Sequence, residues 1–160
     1  MIRKLLVLSL ALFAGNSLAA ESLPKPGLPL VPVSRIVGLW QVSVTLAPCA
    51  GGPSRSFIAY STYHAGGTMS DTNAAPPTTR GPGQGVWQYQ GQGQYRSRFQ
   101  FFRYQPDGTF SGVTDVQTEI TLSADGLESS SDVHARNLDP DGSVQAELCG
   151  IGVAQRVSIE

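Results

Sequence analysis

Val37-Gly38-Leu39-Trp40-Gln41-Val42-Ser43-Val44-Thr45-Leu46 and, near the other end of the chain, Cys149-Gly150-Ile151-Gly152-Val153-Ala154-Gln155-Arg156-Val157 decide the fold. In the first stretch Trp40, Val42, Val44 and Leu46 share one face and Gln41, Ser43 and Thr45 the other, the two-residue period of a half-buried strand. If the two stretches pair antiparallel, matching apolar positions sets Trp40 against Val157, Val44 against Val153 and Leu46 against Ile151. That register puts Cys149 opposite Pro48, beside Cys49, and Arg156 next to Gln41. A slip of one residue would turn every side chain to the other face. The apolar pattern and the cysteines thus ask for nearly the same register, which predicts that the last strand closes on the first. Gly150 and Gly152 are available for a bulge that absorbs the remaining offset.

Between these two stretches the sequence alternates strands with tight turns. Pro106-Asp107-Gly108, Ala124-Asp125-Gly126 and Pro140-Asp141-Gly142 each place Asp-Gly between strand-like runs, and Asp-Gly supplies the positive φ that hairpin turns require. Ala65-Gly66-Gly67 and Gly91-Gln92-Gly93 are further turns. The strands read 37–46, 56–64, 67–70, 85–90, 94–105, 108–123, 127–138 and 143–159. No segment carries a helical period. The expected fold is all-β, an antiparallel up-and-down meander of about eight strands closed into a barrel.

The chain before this domain reads differently. Met1-Ile2-Arg3-Lys4 is a basic head, Leu5 to Ala14 an apolar run too short to span a bilayer, and Ser17-Leu18-Ala19 a small-residue cleavage signature. The expectation is a signal peptide over 1–19, then a proline-rich extended leader over 20–36, with Pro24, Pro26, Pro29 and Pro32, then the barrel domain over 37–160. Export sends the protein to the periplasm or outside the cell. The two cysteines then read as a disulfide, closing a loop for which chain entropy allows about 4–5 kcal/mol of stabilisation.

Composition excludes more than it selects. The net charge is −1 and, with Arg3 and Lys4 removed, −3, which offers no attraction for nucleic acid. No later segment approaches the length of a membrane span. Two distant cysteines with His64 and His134 match no zinc spacing, so neither metal nor cofactor is expected. The sequence holds no nucleophile elbow, zinc-protease, phosphate-loop or dinucleotide motif. Asp107, Asp125, Asp139 and Asp141 lie at turns, where turn geometry accounts for them. His134 alternates with Asp132 and Arg136 on a polar strand face, and Arg96 and Arg98 face Asp115, Gln117 or Glu119 across a strand pair.

A meander sorts its connections to two ends. Segments 47–55, 71–84, 105–108 and 139–143 fall at one end, and only tight turns at the other. The longest, 71–84, is either a binding loop or a tolerated surface insertion. Its cation Arg80 is available to solvent or to an anionic ligand group. Tyr95, Ser97, Phe99 and Phe101 share one face of the fifth strand, and Ser129, Ser131, Val133 and Ala135 one face of the seventh. Small residues facing large aromatics either leave an apolar cavity or let the aromatics pack; for a barrel this small the filled core is the simpler reading. The candidate ligand-binding residues are Tyr60, Arg80, Trp87, Tyr95, Phe99 and Phe101.

Gly38-Leu39-Trp40, opening the first strand of an eight-stranded meander, resembles the Gly-x-Trp of lipocalins and related calycin barrels. The chain also resembles uncharacterised secreted bacterial barrel proteins, and the small barrels of the allene oxide cyclase and dirigent group. The lipocalin resemblance implies a tryptophan at the closed end under an arginine from the last strand, for which Arg156 is the candidate. It implies a non-enzymatic protein holding a small apolar or amphiphilic ligand in the barrel mouth. The alternatives are a cyclase or isomerase acting through a buried Tyr60, Tyr95 or Glu119, and a protein-interaction module.

Overall fold

The computed structural model describes residues 35–159. The expected signal peptide and all but the last two residues of the leader lie outside them. Eight strands follow one another as β1 (Gly38–Pro48), β2 (Arg55–Tyr63), β3 (Thr68–Asn73), β4 (Gly83–Gly91), β5 (Gln94–Tyr104), β6 (Phe110–Leu122), β7 (Glu128–Leu138) and β8 (Val144–Arg156). Each pairs antiparallel with the next, and β8 returns to β1, so the meander is a closed barrel. Closure leaves no unpaired sheet edge.

The three Asp-Gly turns share one design. Gly108, Gly126 and Gly142 have φ of 87°, 78° and 86°, where a side chain would be strained. In each, the preceding aspartate accepts the backbone N–H two residues on, from Thr109 (2.9 Å), Leu127 (3.0 Å) and Ser143 (2.9 Å). These bonds, together with the Ser123 hydroxyl as the larger donor to Asp125, stabilise the ionised carboxyls, so turn geometry explains the aspartates.

The inner faces of β1, β5, β6 and β7 are those the alternation predicts. The inner face of β8 is not. Trp40 pairs with Arg156 and Ala47 with Cys149, one residue away from the register that matches apolar faces. Val42, Val44 and Leu46 therefore lie opposite Ala154, Gly152 and Gly150, while Ile151, Val153 and Val157 are exposed. The cysteines tolerate either register, because positions 47 and 48 both lie within two residues of Cys49; the bridge forms as expected across a separation of 100 residues. The two glycines mark close approach rather than a bulge. A Cβ on Gly150 would lie 1.9 Å from the Thr45 carbonyl oxygen, and one on Gly152 2.6 Å from Ser131 Oγ.

One end of the barrel is sealed. Ile36, Trp40, Met69 and Tyr95 are almost completely buried there, with Tyr63, Trp87 and Leu122 in the same cluster. Trp87 meets Tyr63 edge-on at 6.3 Å between ring centroids and Tyr95 at 6.0 Å, spacings at which aromatic pairs attract. The Arg156 guanidinium stacks 4.4 Å from the centre of the Trp40 ring, the arrangement the lipocalin resemblance implies. It also donates to the carbonyls of Val37 and Gly126, both at 2.8 Å, and to that of Arg35. Arg35 and Ile36 thus belong to the barrel rather than to an extended leader. Trp40 Nε1 donates to the Ile36 carbonyl (2.8 Å), so the indole's polar edge is satisfied in the core.

Candidate functional site

At the other end the barrel is open. Above the Trp40 and Tyr63 floor lies a cavity of about 990 Å³, bounded at its mouth by Pro48, Pro53, Arg55, Ala75 and Thr79. This is the end to which the sequence assigns the longer connections. The volume sits at the upper end of the range for small-molecule pockets. The filled core, simpler on grounds of size, is therefore not what forms. The cause is compositional. The inward positions of β8 include Gly150, Gly152 and Ala154. Those of β7 include Ser129, Ser131 and Ala135, and those of β2 Ala59 and Ser61. These strands bring too little side-chain volume to meet Phe99 and Phe101 across the barrel.

The wall is mostly apolar, with Val42, Val44, Leu46, Phe57, Val116 and Leu148 among its residues. Its polar groups are largely paired: Ser97 Oγ lies 2.7 Å from Thr118 Oγ1, and Thr114 Oγ1 donates to Asn137 Oδ1 at 2.7 Å. One charged pair stands out. Asp71 on β3 and Arg80, from the connection to β4, form an ion pair with 6 % of each side chain exposed. Ser61 Oγ donates to Asp71 Oδ2 at 2.9 Å. Arg80 Nη1 donates to the Gly81 carbonyl at 3.0 Å, and its guanidinium lies 3.9 Å from the centre of the Phe101 ring, a cation–π contact. Burial pushes the Asp71 carboxyl up to about 6, against the lowering effects of the Arg80 charge and of the bonds from Ser61 and Arg80. Burial also lowers Arg80, opposed by Asp71. Burial, and then the Asp71 charge, raise the Tyr63 phenol.

The connection carrying Arg80 is shorter than the sequence suggests and is stitched down. Residues 71–73 extend β3 and 83–84 begin β4. Gly81 N–H donates to the Phe102 carbonyl (2.9 Å) and Tyr104 N–H to the Thr79 carbonyl (3.0 Å), and Arg80 bridges to Arg103 on β5. The loop is thus fastened to the barrel rim through one isolated β-bridge. This is why Arg80 turns inward and is not a solvated side chain.

Of the candidate ligand-binding residues, Arg80, Phe99 and Phe101 lie on the cavity wall. Trp87 and Tyr95 are buried in the sealed end below it. Tyr60 is on the outer surface, 43 % exposed, because β2 turns Ala59, Ser61 and Tyr63 inward. Asp71, Arg55, Arg103 and Asn137 are wall residues that the sequence reading leaves out. The signal for Arg103 was present: it continues the inward series Tyr95, Ser97, Phe99, Phe101. Asp71 alternates with Met69 and Asn73, but aspartate is rare in strands and the segment reads as loop.

The outer surface accounts for the other charged residues. Arg96 Nε lies 2.7 Å from Glu119 Oε1. Asp115, covered by its neighbours, accepts from Arg98 Nε (2.8 Å), Arg136 Nη2 (2.7 Å) and Gln100 Nε2 (3.2 Å). Burial alone would raise the Asp115 carboxyl; these three donors overcome it and hold it at about 2. Glu119 and Tyr60, two of the groups named for catalysis, therefore face away from the cavity, and Tyr95 is packed beneath it. His134 lies beside the Cys49–Cys149 bridge, with its imidazole nitrogen and both sulfurs within 4.8 Å of one another; the sulfurs are bonded to each other.

No family model matches the chain, and no curated protein matches it. Among solved structures it is similar to the S-type phycobiliprotein lyase CPES from Guillardia theta, at 10 % identity and a TM-score of 0.43, over 79 % of this chain and 91 % of that one.

Proposed function

We propose that this is an exported, non-enzymatic binding protein that holds a small apolar or amphiphilic molecule inside the barrel. The observation that carries the reading is the cavity of about 990 Å³, sealed by the Trp40 end and open at the other. An apolar wall favours an apolar guest through the area it removes from water, and the rim polar groups suit a guest with one polar end. The Cys49–Cys149 bridge supports an oxidising compartment, in keeping with the signal-like start of the chain.

Two measurements test this. The protein purified under native conditions is extracted with organic solvent and the extract examined by mass spectrometry; a co-purifying small molecule in stoichiometric amount is expected. The emptied protein is titrated with the neutral fluorophore N-phenyl-1-naphthylamine, with one saturable site expected. An empty extract together with no saturable site would overturn the reading.

A further inference from the structure

Resting on the cavity as the binding site, we propose that its mouth selects an amphiphile with an anionic head: Arg55, Arg80 and Arg103 hold the acidic group at the rim while the apolar body fills the barrel.

The charges on the wall do not balance. Among the described wall residues the cations are Arg55, Arg80 and Arg103, and the acid is Asp71 alone. Arg80 and Asp71 compensate each other. Arg103 has no carboxylate partner among the described residues: it donates to the carbonyls of Leu138 (3.0 Å) and Ser111 (3.3 Å) and to Gln145 Oε1 (3.1 Å). Arg55, at the start of β2, forms no ion pair among the described residues. The mouth thus carries two guanidinium charges beyond neutrality, although the chain as a whole is net negative. A local excess against the overall sign is a property of this rim and not of the protein surface.

Placement adds to the charge count. The antiparallel bridge between Arg80 and Arg103 brings these two arginines to adjacent backbones. Arg80 Nε and Arg103 Nε are buried with no hydrogen-bond partner, the two such side-chain atoms among the described residues. Both guanidinium groups are therefore incompletely satisfied, which costs free energy in a site shielded from water. A carboxylate, sulfonate or phosphate head supplies the missing negative charge at the mouth, and arginine's planar fork suits all three. A cationic head would meet three like charges and one already occupied carboxylate.

The test compares two fluorophores that differ by one anionic group, N-phenyl-1-naphthylamine and 8-anilinonaphthalene-1-sulfonate, on the mature, disulfide-bonded protein. The readout is the ratio of the sulfonate's affinity to that of the neutral probe. In the native protein this ratio should exceed one. Arg55→Gln should lower it about two- to fivefold, as expected for a rim charge. Asp71→Asn, which frees Arg80, should raise it about tenfold. The two variants move the ratio in opposite directions, which general loosening of the fold would not do. Dodecanoate should displace the sulfonate probe more effectively than dodecanol, and inorganic phosphate at equal concentration should not. If the neutral probe binds as well as the sulfonate, or neither variant moves the ratio, the anionic selection is wrong while the binding function stands. If neither probe binds the native protein, both fall. Displacement by inorganic phosphate alone would show an anion site without the amphiphile.

Discussion

Asp71 on β3 and Arg80 from the connection that follows it meet inside the mouth of the barrel, 6 % of each side chain exposed. Taking both charges out of water is costly, and breaking such a pair from one side is costlier than removing it whole. Arg80→Gln alone should therefore destabilise the fold by about 3–5 kcal/mol. The double variant Asp71→Asn/Arg80→Gln should lose less than Arg80→Gln alone. Urea unfolding of the four proteins in the cycle measures this.

The same pair sets a pH dependence. The Asp71 carboxyl is raised to about 6 in the fold, against about 4 unfolded. Between these values the folded protein holds a proton that the unfolded chain has released. The contribution of Asp71 to stability is thus greatest below pH 4, falls as pH rises from 4 to 6, and is level above that. The full effect is about 3 kcal/mol. Asp115, held at about 2, works in the opposite sense, its contribution being lost only as pH falls from 4 towards 2. Asp71→Asn should flatten the slope between pH 4 and 6, and Asp115→Asn should leave that slope in place. Midpoints of urea unfolding across this range check it.

The register of β8 against β1 has its own test. Gly150→Ala places a methyl 1.9 Å from the Thr45 carbonyl oxygen, and should cost about 2 kcal/mol or more because backbone must move. Ile151→Ser, at an outward and exposed position, should change stability by about 0.5 kcal/mol or less. In the register that matches apolar faces the two results would be reversed.

The Cys49–Cys149 bridge closes nearly the whole domain. Cys49→Ser or Cys149→Ser should lower stability by a few kcal/mol, and adding a dithiol reductant to the native protein should lower it by a similar amount. Equal thermal midpoints with and without reductant would show the bridge to be idle.

Much of this barrel is legible in the sequence because alternation and Asp-Gly turns are local signals. Trp40, Val42, Val44 and Leu46, or Val116, Ile120 and Leu122, declare their face without knowledge of their neighbours. The eighth strand does not, because the rule of matching apolar to apolar assumes that the interior is to be filled. Here Gly150, Gly152 and Ala154 face inward to leave space, and Ile151 and Val153 are the surface. A cavity is a deficit of volume summed over several strands, and no single strand reports it. Arg80 and Asp71 fail for a related reason: each is read locally as a loop residue, whereas β3 extends far enough to carry Asp71 inward beside Met69, and the stitching of the loop to β5 turns Arg80 inward. Ile36 is hidden by the prolines that precede it, although a bulky residue four positions before Trp40 is what seals the barrel end.

The most direct measurement of whether the interior is a binding site is to fill it. Val44 faces the cavity across from Gly152, and Val44→Trp should place an indole in the open space. The account predicts that this variant keeps the far-ultraviolet circular dichroism of the native protein and its disulfide, and loses saturable binding of N-phenyl-1-naphthylamine. Retained binding with native affinity in a correctly folded Val44→Trp protein would contradict it.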